Sequence, residues 1–453
     1  VANSVNCGDT STRWTGSNKV TSTNQKKGSW NIWLKRTVLG AQGLFKVYDS
    51  GNTGTEFGFD SSDQFFMKEF ESGSDVFNLK TNAKYRDPNA WMHILLAIDT
   101  TQGTQANRIR LYINGVEPSL ATSTRPSVNT NLVRFFANGA DNSNQQHEMG
   151  NNYDGATGHY LLTQILYVDG TQLANTDVGE FDSDSGIWKP IDISGTTLGN
   201  NGYYLSMEDS SNFGTATGKS FTAHGFAATD SRTDTCTNNF ATIGILFTPL
   251  LPPTYSEGNL QSYSTAGGFY PIPSSIGVAN GKWYMELKYT ATTSNDNTGI
   301  GITMDPASGN QTNTDQGGYV FGYSAPDGNL FPYQGEPSGS FASYTVGDIM
   351  GIYMDLDNMK LYFSKNGALQ SATGKTINVS NTGFYYFCVL DYTNTSNYWT
   401  WQWNFGGGCP FAISSGNTDA NDYGNFEYSP TITGDGASKD FLALCTKNLA
   451  ESG

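Results

Sequence analysis

Apolar residues along this chain recur with a period of two, the spacing of a strand that buries one face. Trp30, Ile32 and Leu34 fall on one side, and Asn31, Trp33 and Lys35 on the other. Further alternating segments follow at 43–48, 56–59 and 64–68. Residues 91–99 form a fuller apolar run, as in an inner strand. The segment 107–113 ends in Asn114-Gly115, a hairpin-turn pair, and 160–168 ends in Asp169-Gly170. Between 226 and 264 the pattern weakens, and Pro252-Pro253 forbids a regular ladder.

Alternation returns at 282–289, then at 299–304, 318–323, 383–390 and 399–405. The clearest element is the hairpin 346–367. Met350, Ile352, Met354 and Leu356 alternate along its first strand, and Asp357-Asn358 supplies a turn. Lys360, Leu361, Tyr362 and Phe363 form the return strand, and Asn366-Gly367 turns the chain again. The pattern predicts an all-β chain: two β-sandwich or jelly-roll domains in tandem, at 29–230 and 261–453. Residues 1–28, polar and rich in Thr, Ser and Asn, read as an N-terminal arm, and 231–260 as a linker.

Composition fits short strands joined by many turns. Of 453 residues, 37% are hydrophobic and only 15% charged, with 52 glycines, 25 tyrosines and 26 phenylalanines. That apolar content fills two cores and argues against disorder. A formal charge of −16 with scattered Lys and Arg excludes a nucleic-acid partner. No run approaches the roughly 18 apolar residues of a membrane span, so no membrane insertion is expected. The chain begins at Val1 rather than Met. Either upstream sequence precedes it or a leader has been removed, which would fit export.

The phrases carry resemblances. The hairpin 346–367, the strand 282–289 and Asn404-Phe405-Gly406-Gly407 followed by Pro410-Phe411 resemble SPRY domains, which are recognition modules. The Trp91-led strand followed by one ending in Asn114-Gly115 resembles laminin-G-like, concanavalin-type jelly rolls. Together, RDPNAWMHILLAIDTTQGTQANRIRLYINGV, ILYVDGTQL, GEFDSDSGIWKP, TNNFATI and GNFEYSP…FLALCTKNL resemble marine-phage virion proteins of tail-fibre type. Those chains join the two folds in this order. The resemblance implies a virion-surface or extracellular location and self-assembly. Residues 1–28 and Cys7 depart from it.

Candidate chemistry is sparse, and no catalytic or cofactor-binding residue is assigned. Glu180, Asp182 and Asp184 resemble the alternating carboxylates of jelly-roll glycosidases, but Gly179, Gly186 and Pro190 suit a connecting loop. The histidines, His93, His147, His159 and His224, lack a nucleophile motif nearby. His93, inside an apolar strand, reads as a satisfied core or half-buried residue. Asp60 and Asp63, Asp182 and Asp184, and Asp355 and Asp357 supply oxygen ligands for a rim calcium of the laminin-G kind; no other cofactor is expected. Tyr392, Tyr398, Trp399, Trp401 and Trp403 form the densest aromatic cluster for stacking on sugars, although alternation puts the three tryptophans on one core-facing side.

Five cysteines, Cys7, Cys236, Cys388, Cys409 and Cys445, have no zinc spacing. Cys7 and Cys236, at the two ends of the first domain, are the pair that closeness of domain termini would join. Sequons at Asn310, Asn378 and Asn394 would be glycosylated in a host with that machinery. Three functions stay open. The first is a non-enzymatic fibre or filament subunit, homo-oligomeric through β-edges or the N-terminal arm, recognising a cell-surface glycan or receptor. The second is a glycan-binding adhesion protein. The third is a polysaccharide-cleaving enzyme.

Overall fold

The computed structural model describes residues 1–453 except 9–10, 17–19, 51, 137–145, 151–157, 248–252, 265–269, 294–297, 308–319, 326–327, 332–340, 378–382, 392–397, 434–437 and 453. The chain divides into two compact units. One comprises Val1–Ser231 with Thr235–Thr237, and the other Arg232–Asp234 with Asn238–Gly453. Each is a β-sandwich, so the chain is all-β, with two sandwich domains in tandem.

In the first unit, one sheet orders its strands Thr217–Gly218, Tyr203–Leu205, Tyr160–Asp169, Lys27–Arg36, Trp91–Asp99 and Ile109–Ile113. The facing sheet runs Leu120–Thr124, Ser74–Lys84, Gln64–Glu71, Thr53–Phe59, Gln42–Ser50, His147–Met149, Arg13–Gly16 and Phe221–His224. Alternation explains the core. Trp30, Ile32 and Leu34 are fully buried between the sheets, with the Trp30 ring 5.5 Å from Phe45 and 5.3 Å from Phe57. Asn114 and Gly115 turn the chain after Ile109–Ile113 with φ of 49° and 77°, a type I′ geometry that suits Asn-Gly.

The arm expected at 1–28 is part of the sandwich. Ser4–Cys7 pairs with Tyr160–Asp169, and Arg13–Gly16 lies between His147–Met149 and Phe221–His224. Its polar composition misled because few apolar side chains are needed to seat it: among the described residues, Val5, Cys7 and Trp14 are fully buried in the core. The expected disulfide is absent, and none of the five cysteines is in one. Cys7 points into the inner core and bonds the Thr12 carbonyl. Cys236 lies by Tyr204, which packs on the opposite face of that sheet. The sheet therefore separates the two thiols.

In the second unit, one sheet runs Thr254–Ser256, Gln261–Ser264, Trp399–Asn404, Lys282–Thr292, Ile349–Asp355, Lys360–Lys365 and Ala368–Leu369. Its partner runs Tyr270–Pro273, Tyr386–Asp391, Thr298–Thr303, Val320–Ser324 and Leu330–Phe331. The predicted hairpin is central, with Met350 opposite Lys365 and Asp355 opposite Lys360. Its turn is longer than Asp357-Asn358 alone: Met359 takes φ 51°, while the Asn358 amides donate to the Asp355 carboxylate. Most of the expected linker, Arg232–Asp234 and Asn238 onward, also belongs to this unit. Phe240 and Ile243 are buried, and the Ala241 N–H donates to the Leu444 carbonyl.

Each unit carries a third layer that alternation alone would leave exposed. On the first, Val178 and Ile193 cover Leu95, Ala97, Tyr112, Leu166 and Val168 on the outer sheet face. On the second, Phe426, Ile432, Phe441 and Ala443 cover Tyr284, Tyr353 and Tyr362. Among the described residues, no helix is long and apolar enough to cross a membrane.

Candidate functional site

The carboxylates that resembled a glycosidase pair lie on a small hairpin of Gly179–Phe181 and Trp188–Pro190. Lys189 Nζ sits 3.3 Å from Glu180 and 3.1 Å from Asp182. Asp182 Oδ1 also accepts from the Ser185 and Asp184 N–H groups. These donors hold the Asp182 carboxyl well below the usual carboxylate range. A group so firmly ionised is a poor general acid, and a nucleophile capped by an ammonium is a poor attacker.

The calcium candidates are committed as well. Asp60 accepts from the Ser62 and Gln64 N–H groups and pairs with Lys80 at 3.1 Å. Asp63 pairs with buried Arg36 and with Arg86, and accepts from the Gly40 N–H. Asp355 caps Asn358, while Asp357 accepts from the Gly281 N–H and pairs with Lys282. Each turn spends its oxygens on protein donors. Among the described residues, no three His, Cys, Asp or Glu side chains form a metal-holding group.

His93 is a core residue, as alternation implied. The Trp188 indole N–H donates to its Nδ1, so Nε2 carries the proton and donates to Asn31 Oδ1. Asn31 Nδ2 then donates to the Gln164 carbonyl at 3.1 Å. Burial lowers the imidazole to about 3, which keeps it neutral. His147 is buried between the Tyr203 hydroxyl and the Phe135 carbonyl, and His224 bonds the Thr15 hydroxyl. His159 is half-buried, and its carbonyl accepts from the Thr37 N–H. Trp399, Trp401 and Trp403 are fully buried, with Tyr289 stacked on Trp401 at 4.5 Å. Among the described members of that cluster, only Tyr398 is not fully buried, its ring 5.8 Å from the exposed ring of Tyr263. Tyr392, Asn310, Asn378 and Asn394 lie outside the described residues.

Sequence reasoning missed two features. The first is a cleft of about 620 Å³ on the first unit, lined by Gln164, Asp192, Ser194, Tyr204, Glu208 and Thr215 among others. It forms where the ladder between Tyr160–Asp169 and Lys27–Arg36 slips between Thr163 and Leu166. Gln164 takes φ 48° at that bulge, an uncommon backbone for a residue other than glycine. Its side-chain amide bonds the Tyr204 hydroxyl, whose proton is held up to about 12 by burial and then by the charge of Glu208. Nothing in a local pattern signals such a bulge.

The second is a buried carboxylate in the second unit. Glu286 Oε1 accepts from the Tyr428 N–H at 2.7 Å and the Tyr284 hydroxyl at 3.0 Å. Oε2 accepts from the Glu427 N–H and Asn404 Nδ2, both at 3.0 Å. Burial pushes this carboxyl up to about 7 against the pull of those donors. The interaction ties the C-terminal layer to the central strand and is structural.

Among the described residues, the cleft on the first unit and the buried Glu286 cluster are the polar features that sequence reasoning did not anticipate. A laminin-G-type domain of the concanavalin A-like lectin/glucanases superfamily matches residues 9–157, and a SPRY domain matches residues 282–400. The first sandwich extends well past its match, since Tyr160–Asp169 is a central strand. The chain is 32% identical over 99 residues to the Ran-binding proteins 9/10 homolog of Drosophila melanogaster. That stretch is 22% of this chain and 10% of the relative, so the chain spans about a tenth of the curated protein it matches. Among solved structures, the SPRY domain of human HERC1 aligns with TM-score 0.28 and 21% identity, over 32% of this chain and 87% of that one. A heptameric SAP-like pentraxin from Limulus polyphemus aligns with TM-score 0.25 and 12% identity, over 36% and 72% respectively.

Proposed function

We propose that this protein is a non-enzymatic recognition subunit of an extracellular or virion-surface fibre, self-associating through sheet edges. The observation that carries the assembly part is the edge strand Leu120–Thr124. It ends its sheet, bears no charge and is largely exposed. Thr122, Ser123 and Thr124 keep regular register with Lys80, Leu79 and Asn78, so the outer side of the strand offers a ladder to a second copy. The N-terminal arm drops out as an assembly device because its strands are already paired. Cys7, Cys388, Cys409 and Cys445 are buried thiols, which fits assembly in a reducing compartment, as for a virion, better than an oxidising export route. The SPRY domain and the Ran-binding relative add protein recognition to this reading.

Sedimentation of the full chain tests it. Concentration-dependent association is expected, and the exposed-edge variant A121K/S123K is expected to abolish it without altering circular dichroism. A wild-type chain that stays monomeric, or an edge variant that assembles at full strength, refutes edge-driven assembly. Glycan adhesion is a second reading, favoured by the Tyr263–Tyr398 ring pair at the surface of the second unit. A glycan array with Y263A/Y398A decides it, since a sugar stacked there is lost with the rings.

A further inference from the structure

We propose that the cleft beside Gln164 is a docking site for a cationic side chain, an arginine presented by a partner protein. The inference rests on reading the chain as a recognition protein. The cleft has about 620 Å³, within the roughly 300–1,000 Å³ that small-ligand sites occupy. Its walls are rich in acceptors. Asp192 and Glu208 are both exposed carboxylates; Val1 also lines the cleft, and no lysine or arginine side chain does. The Asp192 carboxyl lies below its ordinary range because the Ser194 amide bonds it, so it is ionised across the neutral range.

The independent observation is Gln164. It is only 7% exposed, it lines the cleft, and its Oε1 has no hydrogen-bond donor. A buried acceptor left without a donor costs about 1–3 kcal/mol, a deficit that an incoming donor removes. The backbone bulge at this residue is held by the Trp188–His93–Asn31 chain, which ends on the Gln164 carbonyl. The acceptor is therefore pre-positioned. An unpaired amide oxygen in a cleft that two carboxylates also line selects a ligand that brings donors and positive charge.

A guanidinium does both. It carries five N–H donors in a fixed plane and has no acceptor to conflict with the walls. Phosphates and acidic peptides are repelled by Asp192 and Glu208, and the formal charge of −16 steers a basic segment toward the chain.

Titration calorimetry of the full chain with a capped glycine–arginine repeat peptide tests this. Saturable, salt-sensitive binding is expected, weakened about tenfold in D192N/E208Q. Q164A removes the acceptor without changing charge and is expected to weaken binding in the same direction. E71Q/D75N makes the same charge change at exposed positions away from the cleft and is expected to leave affinity unchanged. Equal weakening by E71Q/D75N shows diffuse attraction to an acidic chain and overturns the site. So does absence of peptide binding, or binding of a neutral oligosaccharide that D192N/E208Q abolishes in place of peptide binding. Failure of the edge variant to affect sedimentation would instead overturn the assembly reading and leave this one standing.

Discussion

Replacing Glu286 with alanine should release the C-terminal layer of the second unit from its sheet. Four donors converge on this carboxylate: the Glu427 and Tyr428 N–H groups, Asn404 Nδ2 and the Tyr284 hydroxyl. Asn404 keeps a second acceptor in the Asn425 carbonyl, and Tyr284 keeps its contact with Tyr353. The two main-chain N–H groups lose theirs. Each orphaned buried donor costs about 1–3 kcal/mol, and breaking a buried charged cluster on one side costs about 3–5 kcal/mol altogether. Removal of a carboxyl that burial already disfavours offsets part of that, so about 3–4 kcal/mol is expected. At a factor of ten per roughly 1.4 kcal/mol, amide protection at Glu427 and Tyr428 should fall about 10²–10³-fold. Glu286→Gln keeps one oxygen and should fall between. Native-state hydrogen exchange reads the effect locally, and Lys27–Arg36 in the first unit serves as the internal control. Unchanged protection at Glu427 and Tyr428 would refute the idea that this carboxylate holds the layer.

Three further outcomes follow from the same geometry. Burial raises the carboxyls of both Glu286 and Glu69 from 4.5 to about 7. Their protonated forms therefore favour the fold, and that stability is complete below about pH 4.5 and is lost as pH rises through about 7. Denaturant midpoints across that window should flatten in E69Q/E286Q, and an unchanged slope would sink the assignment. His93, held at about 3 as a neutral ring, should show no imidazole titration by NMR between pH 5 and 8, whereas exposure by H93A-type loosening of its neighbours (for example Trp188→Phe) should lower stability by about 1–3 kcal/mol. Gly115→Ala should cost more than about 1 kcal/mol, because φ is 77° there and a Cβ would clash with the Trp188 ring; thermal melting checks it.

Much of the fold was legible because strand alternation is a local property. The inner faces at Trp30, Ile32 and Leu34, and at Met350, Ile352 and Met354, follow from side chains pointing alternately across a pleat. The Asn114-Gly115 and Asn366-Gly367 turns were equally legible, since positive φ at successive residues selects those types. The candidate cleft was not. Its key residue owes its direction to a one-strand slip against a partner more than a hundred positions away, and no local pattern encodes that.

The chain's residues by themselves determined an all-β protein of two sandwiches, poor in charge. Only the tertiary structure decided which strand faces meet water. Glu286 alternates with Tyr284 and Lys288 as a solvent-facing residue would, yet it is buried under Glu427 and Tyr428, which reach it from over 140 residues along the chain. The polar start of the chain likewise reads as an arm and folds as two strands. The reason is the same in both places. Alternation fixes the two faces of a strand, but what covers the second face depends on where distant segments return, and that is settled by packing.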